Sequence, residues 1–228
     1  MRQTFHHDLD HIGRDLVEMN GLVATAMERA TTALLDADLG IAEQVISDDP
    51  RIDAVHDDLE ARAFDLLARQ QPVAVDLRTI VTSLHIVSDL ERMGDLALHV
   101  AKVARMRYPA CAIPAEVREQ IRQMGAVALS LVAKAGEVLE GKDVELAGQI
   151  ERDDDAMDAL HRRLFAVLLS DGWSHGIEPA IDITLIGRYY ERYADHAVEV
   201  ARQIIYLVTG EKPHTALAGD TTGTALGS

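Results

Sequence analysis

Ile12, Leu16, Met19, Val23, Ala26, Ala30 and Ala33 follow a 4-3-4-3 apolar spacing, and Val117, Ile121, Met124, Ala128, Leu131, Ala135 and Val138 repeat it 105 positions later. A period near 3.5 residues is the seam of a helix lying along its neighbours at a shallow angle. Met with twice at one offset, it restricts the chain to packed helices and implies a unit written twice. The remaining composition agrees: aromatics are 4% of the residues, so closely packed Ala, Leu and Val must build the core, and Pro is too rare in the periodic stretches to break them.

The offset of 105 continues past the first helix. Asp38 maps to Asp143, each placed to cap a following helix, with Gly141 just before the second. Ile52, Asp53, Val55, His56 and Leu59 then map to Met157, Asp158, Leu160, His161 and Leu164. The last helix of each half aligns at an offset of 100 instead, Glu91 on Glu191 and Asp95 on Asp195, so the slippage belongs to the turns at Gln70-Gln71-Pro72 and Asp171–Gly176. The spacing predicts helices over 8–36, 38–69, 74–107, 114–140, 143–170 and 178–209. The expected architecture is all-α, two tandem pseudo-symmetric three-helix bundles over residues 1–108 and 114–210, packed as one elongated body. Residues 109–113, flanked by Pro109 and Pro114, form a stiff connector, and 211–228, rich in Thr, Gly, Ala and Ser, is expected to be a disordered tail without chemistry.

A formal charge of −16 disfavours nucleic acid and anionic membrane surfaces and invites cations or basic partner faces. Cys111 is the single cysteine, which excludes an internal disulfide, a zinc ribbon and a redox pair, and fits a reducing cytoplasm. No apolar leader segment or run of about 18 apolar residues is present. The expectation is therefore a cytoplasmic protein that meets membranes only through partners. P-loop, dinucleotide, nucleophile-elbow and His-Glu-x-x-His patterns do not occur.

Two pentapeptides stand out against this background, Glu91-Arg92-Met93-Gly94-Asp95 and Glu191-Arg192-Tyr193-Ala194-Asp195. Acids at i and i+4 share one helix face, where like charges repel by a few tenths of a kcal/mol. Eight such acid pairs occur in the chain, against about six from random placement at this composition, so abundance carries little. Symmetry carries more. Asp49/Asp53 corresponds to Asp154/Asp158, and Glu91/Asp95 to Glu191/Asp195. One pair is thus expected at the start of each second helix and one midway along each third, so that antiparallel neighbours gather four carboxylates in each half. Such a group needs counter-ions. The candidate metal ligands are Asp49, Asp53, Glu91 and Asp95, and Asp154, Asp158, Glu191 and Asp195.

All-oxygen ligation favours Mg, Ca, Mn or ferric iron, and zinc also accepts carboxylate. His99 and Glu199, one turn beyond Asp95 and Asp195, could extend either site. His7 and His11 have ligand spacing without an identifiable third ligand, and His56 and His161, beside Val55 and Leu160, read as packing histidines. Arg92 and Arg192 are expected to tether carboxylates of neighbouring helices or partners. Glu-x-x-His pairs of the di-iron type occur only as Glu211 to His214 in the tail, which argues against oxygen chemistry.

Arg69-Gln70-Gln71-Pro72-Val73-Ala74-Val75-Asp76-Leu77-Arg78, Asp89-Leu90-Glu91-Arg92-Met93-Gly94-Asp95 and Tyr190-Glu191-Arg192-Tyr193-Ala194-Asp195-His196 together resemble the signatures of the PhoU proteins, bacterial regulators of phosphate uptake. The resemblance covers most of the chain and stops at the tail. It implies two pseudo-symmetric three-helix bundles, acid-x-x-x-Asp motifs that hold multinuclear iron or zinc clusters in some members, and a non-enzymatic role. That role links the phosphate ABC transporter to a sensor histidine kinase and restrains uptake and the starvation response. The second half lacks the Asp-Leu-Arg element, having Ile181-Asp182-Ile183 nearby, which leaves the two sites open to differing in strength. The expectation is an adaptor, as a homodimer; a metal-dependent hydrolase of a phosphorylated substrate and a metal-free helical scaffold are the competing readings.

Overall fold

The structure is a computed structural model that describes residues 2–211. It is built from six helices: α1 (Arg2–Asp36), α2 (Leu39–Gln70), α3 (Val75–Arg107), α4 (Ala115–Gly141), α5 (Val144–Leu168) and α6 (Ile177–Thr209). The expected tail lies, from residue 212 onward, outside the described residues.

The repeat is visible in the backbone. The Asp38 side chain accepts from the Ile41 amide at 2.9 Å to open α2, and Asp143 accepts from Glu145 and Leu146 at 2.9 and 3.1 Å to open α5. Just before those caps, Ala37 and Lys142 take left-handed φ values of 52° and 53°. Lys142, not Gly141, therefore carries the left-handed cap at the end of α4. In the third helices, the burial pattern of residues 81–90 recurs position by position over 181–190, which fixes the offset of 100. The slippage arises from α5, seven residues shorter than α2 (25 against 32), together with its longer turn into α6.

Two local expectations shift. The first helix starts well before residue 8, because Phe5, seven positions before Ile12, is buried and prolongs the seam toward the N-terminus. Within that seam Met27 is buried, whereas Ala26 is half-buried, since a straight helix drifts from a strict 3.5 repeat over several turns. α2 also runs straight through Pro50, which has no amide hydrogen to give the Ile46 carbonyl.

α1, α2 and α3 pack on one another, as do α4, α5 and α6; α1 then lies against α4 and α3 against α6. α2 and α5 flank this central layer. α3 and α6 run antiparallel. At one end Arg107 donates from Nε to Asp182 at 2.5 Å and also bonds Glu178; at the other, Arg78 stands 5.8 Å over the Tyr206 ring. Tyr190 and Tyr193 of α6 are fully buried and reach α1, the first sharing a 2.8 Å hydrogen bond with Thr31 and the second donating to the Val23 carbonyl at 3.1 Å. Burial pushes both phenols well above their ordinary range, so they are neutral and act as anchored hydrophobes. Asn20 adds a buried bond to the Val132 carbonyl of α4 at 3.0 Å. No described helix is long and apolar enough to cross a membrane.

Candidate metal centre

Asp49 and Asp53 lie about three turns inside α2, and Asp154 and Asp158 correspondingly inside α5, rather than at the starts of those helices. That depth sets them beside the middle of the third helices. In the first half, Asp49 senses Asp53, Asp95 and Glu91 as like charges, and partial burial followed by those charges raises its pKa. Glu91 is raised by the same two causes, burial and then Asp95, against the lowering pull of Arg92 and His56. The four predicted carboxylates of this half do converge on one patch between α2 and α3.

The second half repeats the arrangement under greater crowding. Burial first, then Asp195, Asp158, Glu191 and Asp155, push Asp154 up to about 7. Glu191 and Asp195 are raised as well, chiefly by burial. Neither Asp49 nor Asp154 has a basic side chain at ion-pair distance among the described residues.

The basic residues around the two patches differ. Arg92 sits 3.4 Å from Glu91 and 3.3 Å from Asp95, so it bridges acids of its own helix and not of a neighbour. In the second half Arg188 takes both oxygens of Glu191, a role for which the first half offers only Ser88. Asp158 has a looser partner in Arg162, 3.7 Å away. Sequence reasoning missed Arg188, although its position three residues before Glu191 is a helical neighbour spacing. It also missed Asp89, whose Oδ1 lies 2.9 Å from His196 Nδ1 across the α3–α6 contact. Only the packing of the halves brings that pair together. A cavity of about 350 Å³ follows, lined by Asp89, Asp154, Asp195, His196 and Glu199, with Arg202 on its edge.

The proposed extensions fare unequally. His99 engages the Asp95 carbonyl through Nδ1 at 2.5 Å and lays its ring 5.3 Å from Tyr189. Glu199 accepts from Gln203 at 2.9 Å while lining the second cavity. His56 and His161 are half-buried, and each acts electrostatically on the glutamate of its own half. His7 and His11 meet edge to face, ring centroids 4.3 Å apart. As the side chains stand, no three described His, Cys, Asp or Glu residues are disposed to hold a single ion. The donor chemistry nonetheless fits a hard cation: four carboxylates per patch, Asp49, Glu91, Asp154, Glu191 and Asp195 among them partly desolvated, incompletely neutralised by arginine.

Comparison with known proteins separates this chain from helical bundles in general. The model of the PhoU domain matches twice, over residues 16–104 and 121–204, one match for each repeat. The chain belongs to the PhoU family. It is 53% identical over 213 residues to the phosphate-specific transport system accessory protein PhoU homolog 2 of Mycobacterium tuberculosis, covering 93% of this chain and 100% of that protein. The corresponding PhoU homolog of Rhizobium meliloti is 31% identical over 227 residues, covering 99% and 95%. Among solved structures, PhoU from Pseudomonas aeruginosa superposes with a TM-score of 0.80 at 31% identity, covering 91% of this chain and all of the other. The phosphate transport system regulatory protein PhoU from Streptococcus pneumoniae gives 0.78 at 27% identity, covering 92% and 99%. The six-helix architecture derived from the periodic seams is thus the PhoU fold.

Proposed function

We propose that this protein is a non-catalytic accessory factor of phosphate uptake, acting in the cytoplasm as a homodimeric adaptor between the phosphate ABC transporter and its sensor histidine kinase, and restraining both uptake and the starvation response. The observation that carries this reading is the extent of the likeness: relatives named as phosphate-specific transport system accessory proteins align along 93% of the chain, across both repeats. The architecture suits the role. Paired helices present long lateral faces to other proteins, and the net charge of −16 favours basic partner surfaces.

Asp49, Asp53, Glu91 and Asp95, with Asp154, Asp158, Glu191 and Asp195, are the residues that would hold metal ions in this reading. Oxygen donors suit Mg, Mn, Ca or ferric iron, and the family resemblance favours iron or zinc. The support is electrostatic: burial and like charges raise the pKa values of Asp49 and Glu91 in one quartet and of Asp154, Glu191 and Asp195 in the other, a cost that a bound cation would remove. A cation there supplies charge neutralisation. The residues supply a bridge between α2 and α3, or between α5 and α6, and so a stiffer surface for a partner.

The test is recovery of membrane partners by the tagged full-length chain from cells grown in high and in low phosphate. The transporter's nucleotide-binding subunit and the kinase are expected with the wild type in high phosphate; recovery of neither overturns the adaptor reading. Elemental analysis of the same preparations, comparing wild type with the paired substitutions Glu91→Gln and Asp95→Asn, examines the metal reading separately. Bound metal unchanged by that pair removes the first-half site.

A further inference from the structure

A concave site in the first half belongs to no part of the carboxylate reading except at one edge. It is a cavity of about 220 Å³ between α1, α2 and α3, floored by Leu22, Ala26, Val45, Ile52 and Gly94. That is below the roughly 300–1,000 Å³ of a drug-sized site, with space for about seven water-sized groups at liquid density. Its mouth is charged with both signs. Arg29 and Arg51 line it together with Asp48 and Asp49.

The helical arrangement separates those charges. On α2, Val45, Asp48 and Ile52 share the face over the cavity, while Asp49 and Arg51 lie on opposite flanks. The Asp49 flank faces α3, since its charge neighbours there are Asp95 and Glu91. The Arg51 flank is on the side of α1, from which Arg29 reaches Asp48 at 3.5 Å. Arg51 therefore stands on the α1 side of the mouth, beside an Arg29 guanidinium already paired with Asp48, and Asp49 stands on the α3 side. Arg51 has no ion-pair partner among the described residues.

The second half builds the equivalent position from different side chains. Ala26 corresponds to the larger Leu131 and Gly94 to Ala194, both almost wholly buried, whereas Leu22 corresponds to the smaller Val127. A Cβ on Gly94 would already stand 3.1 Å from Ile52 Cδ1. Arg51 corresponds to Ala156, and the Arg29–Asp48 pair to a tighter one between Lys134 and Asp153, where Gln149 also donates at 2.7 Å. The smaller Ala26 and Gly94 on the floor and an extra guanidinium at the mouth thus occur together in the first half.

We propose that this cavity binds a small zwitterion bearing a compact apolar group, the chemistry of a free aliphatic α-amino acid. The apolar group occupies the floor, the ligand's carboxylate meets the unpaired Arg51, and its ammonium faces Asp49. A simple amphipathic anion would leave Asp49 facing its headgroup, and a simple amphipathic cation would leave Arg51 facing its own. Only a dipolar headgroup is matched on both sides. The assignment goes beyond the adaptor reading and does not depend on it.

The experiment uses methyl NMR on the full-length protein without added divalent metal, titrated with leucine, with 4-methylpentanoate and with 3-methylbutylamine. Leucine is expected to shift the Ile52 Cδ1 methyl while leaving Met157 at the equivalent second-half position unmoved. Leucine is also expected to bind at least about tenfold more tightly than either singly charged analogue, the scale of one charge-assisted hydrogen bond. Ala26→Leu, which installs the second half's residue, abolishes the shift without unfolding the chain. Arg51→Ala weakens leucine and 4-methylpentanoate by about tenfold and leaves the amine unaffected. Equal binding of the three probes, a leucine response that survives Ala26→Leu, or no response of Ile52 to leucine overturns the proposal.

Discussion

The two halves of this molecule share a backbone and an acid register, and they differ in almost everything packed around the acids. In the first half Glu91 and Asp95 pair with Arg92 on their own helix, and Asp49 borders an open cavity. In the second, Arg188 holds Glu191, Asp154 is pushed up to about 7, and Leu131 and Ala194 stand where the cavity has Ala26 and Gly94. Duplication kept what the helical period enforces, namely which residues lie on which face. It did not keep side-chain volume or the position of counter-charges, which a helix tolerates at many sites. The sharper crowding of the second quartet belongs to its setting.

That contrast can be broken experimentally. Tyr190→Ala removes the buried ring by which α6 holds α1, a position where the first half has Leu90, and is expected to cost about 3–5 kcal/mol in urea unfolding. A loss under about 1 kcal/mol would mean that this anchor does not distinguish the halves. Gly187→Val installs the residue of Val87 where even a Cβ would stand 2.8 Å from Leu164 Cδ2. Overpacking there should cost about 1–3 kcal/mol, seen as a fall of about 2–4 °C in melting temperature per kcal/mol for a chain of this size.

The electrostatic difference is read through pH. The folded-state pKa of Asp154 is raised from 3.8 to about 7, so the protonated acid fits the fold best. The stability it contributes is fully present below 3.8 and is lost as pH rises through about 7. Asp154→Asn should therefore raise the melting temperature of metal-free protein above about pH 7 and leave it unchanged below 3.8. Asp49→Asn should give a smaller rise, because fewer like charges crowd a less buried group. Equal effects would erase the proposed asymmetry. The smallest expected change follows Arg188→Ser, which gives the second half the residue of Ser88 and frees Glu191. Divalent-metal affinity at that patch should rise several-fold by calorimetry, and an unchanged or reduced affinity would show that Arg188 does not compete with the ion.

Most of the fold was legible because it rests on period. The seams at Ile12–Ala33 and Val117–Val138 required helices, and Asp38 and Asp143 placed the caps to within a residue. Phe5 was overlooked as a seam position because it stands two turns from the nearest matched residue. The candidate carboxylates were legible by symmetry. Their depth within α2 and α5 was not, since acids mark a solvated or partly solvated face wherever it lies along a helix.

By itself, then, the sequence determined an all-α duplicated chain, the facing of its helices and the eight acids of the two quartets, because periodicity and local capping act between residues close along the chain. Tertiary structure alone decided that α3 lies antiparallel to α6, that Asp89 meets His196 across that contact, and that Arg188 rather than Arg192 engages Glu191. It also decided that a cavity opens above Gly94. Those features depend on side-chain volume and on distances between helices remote in sequence, which periodicity does not encode.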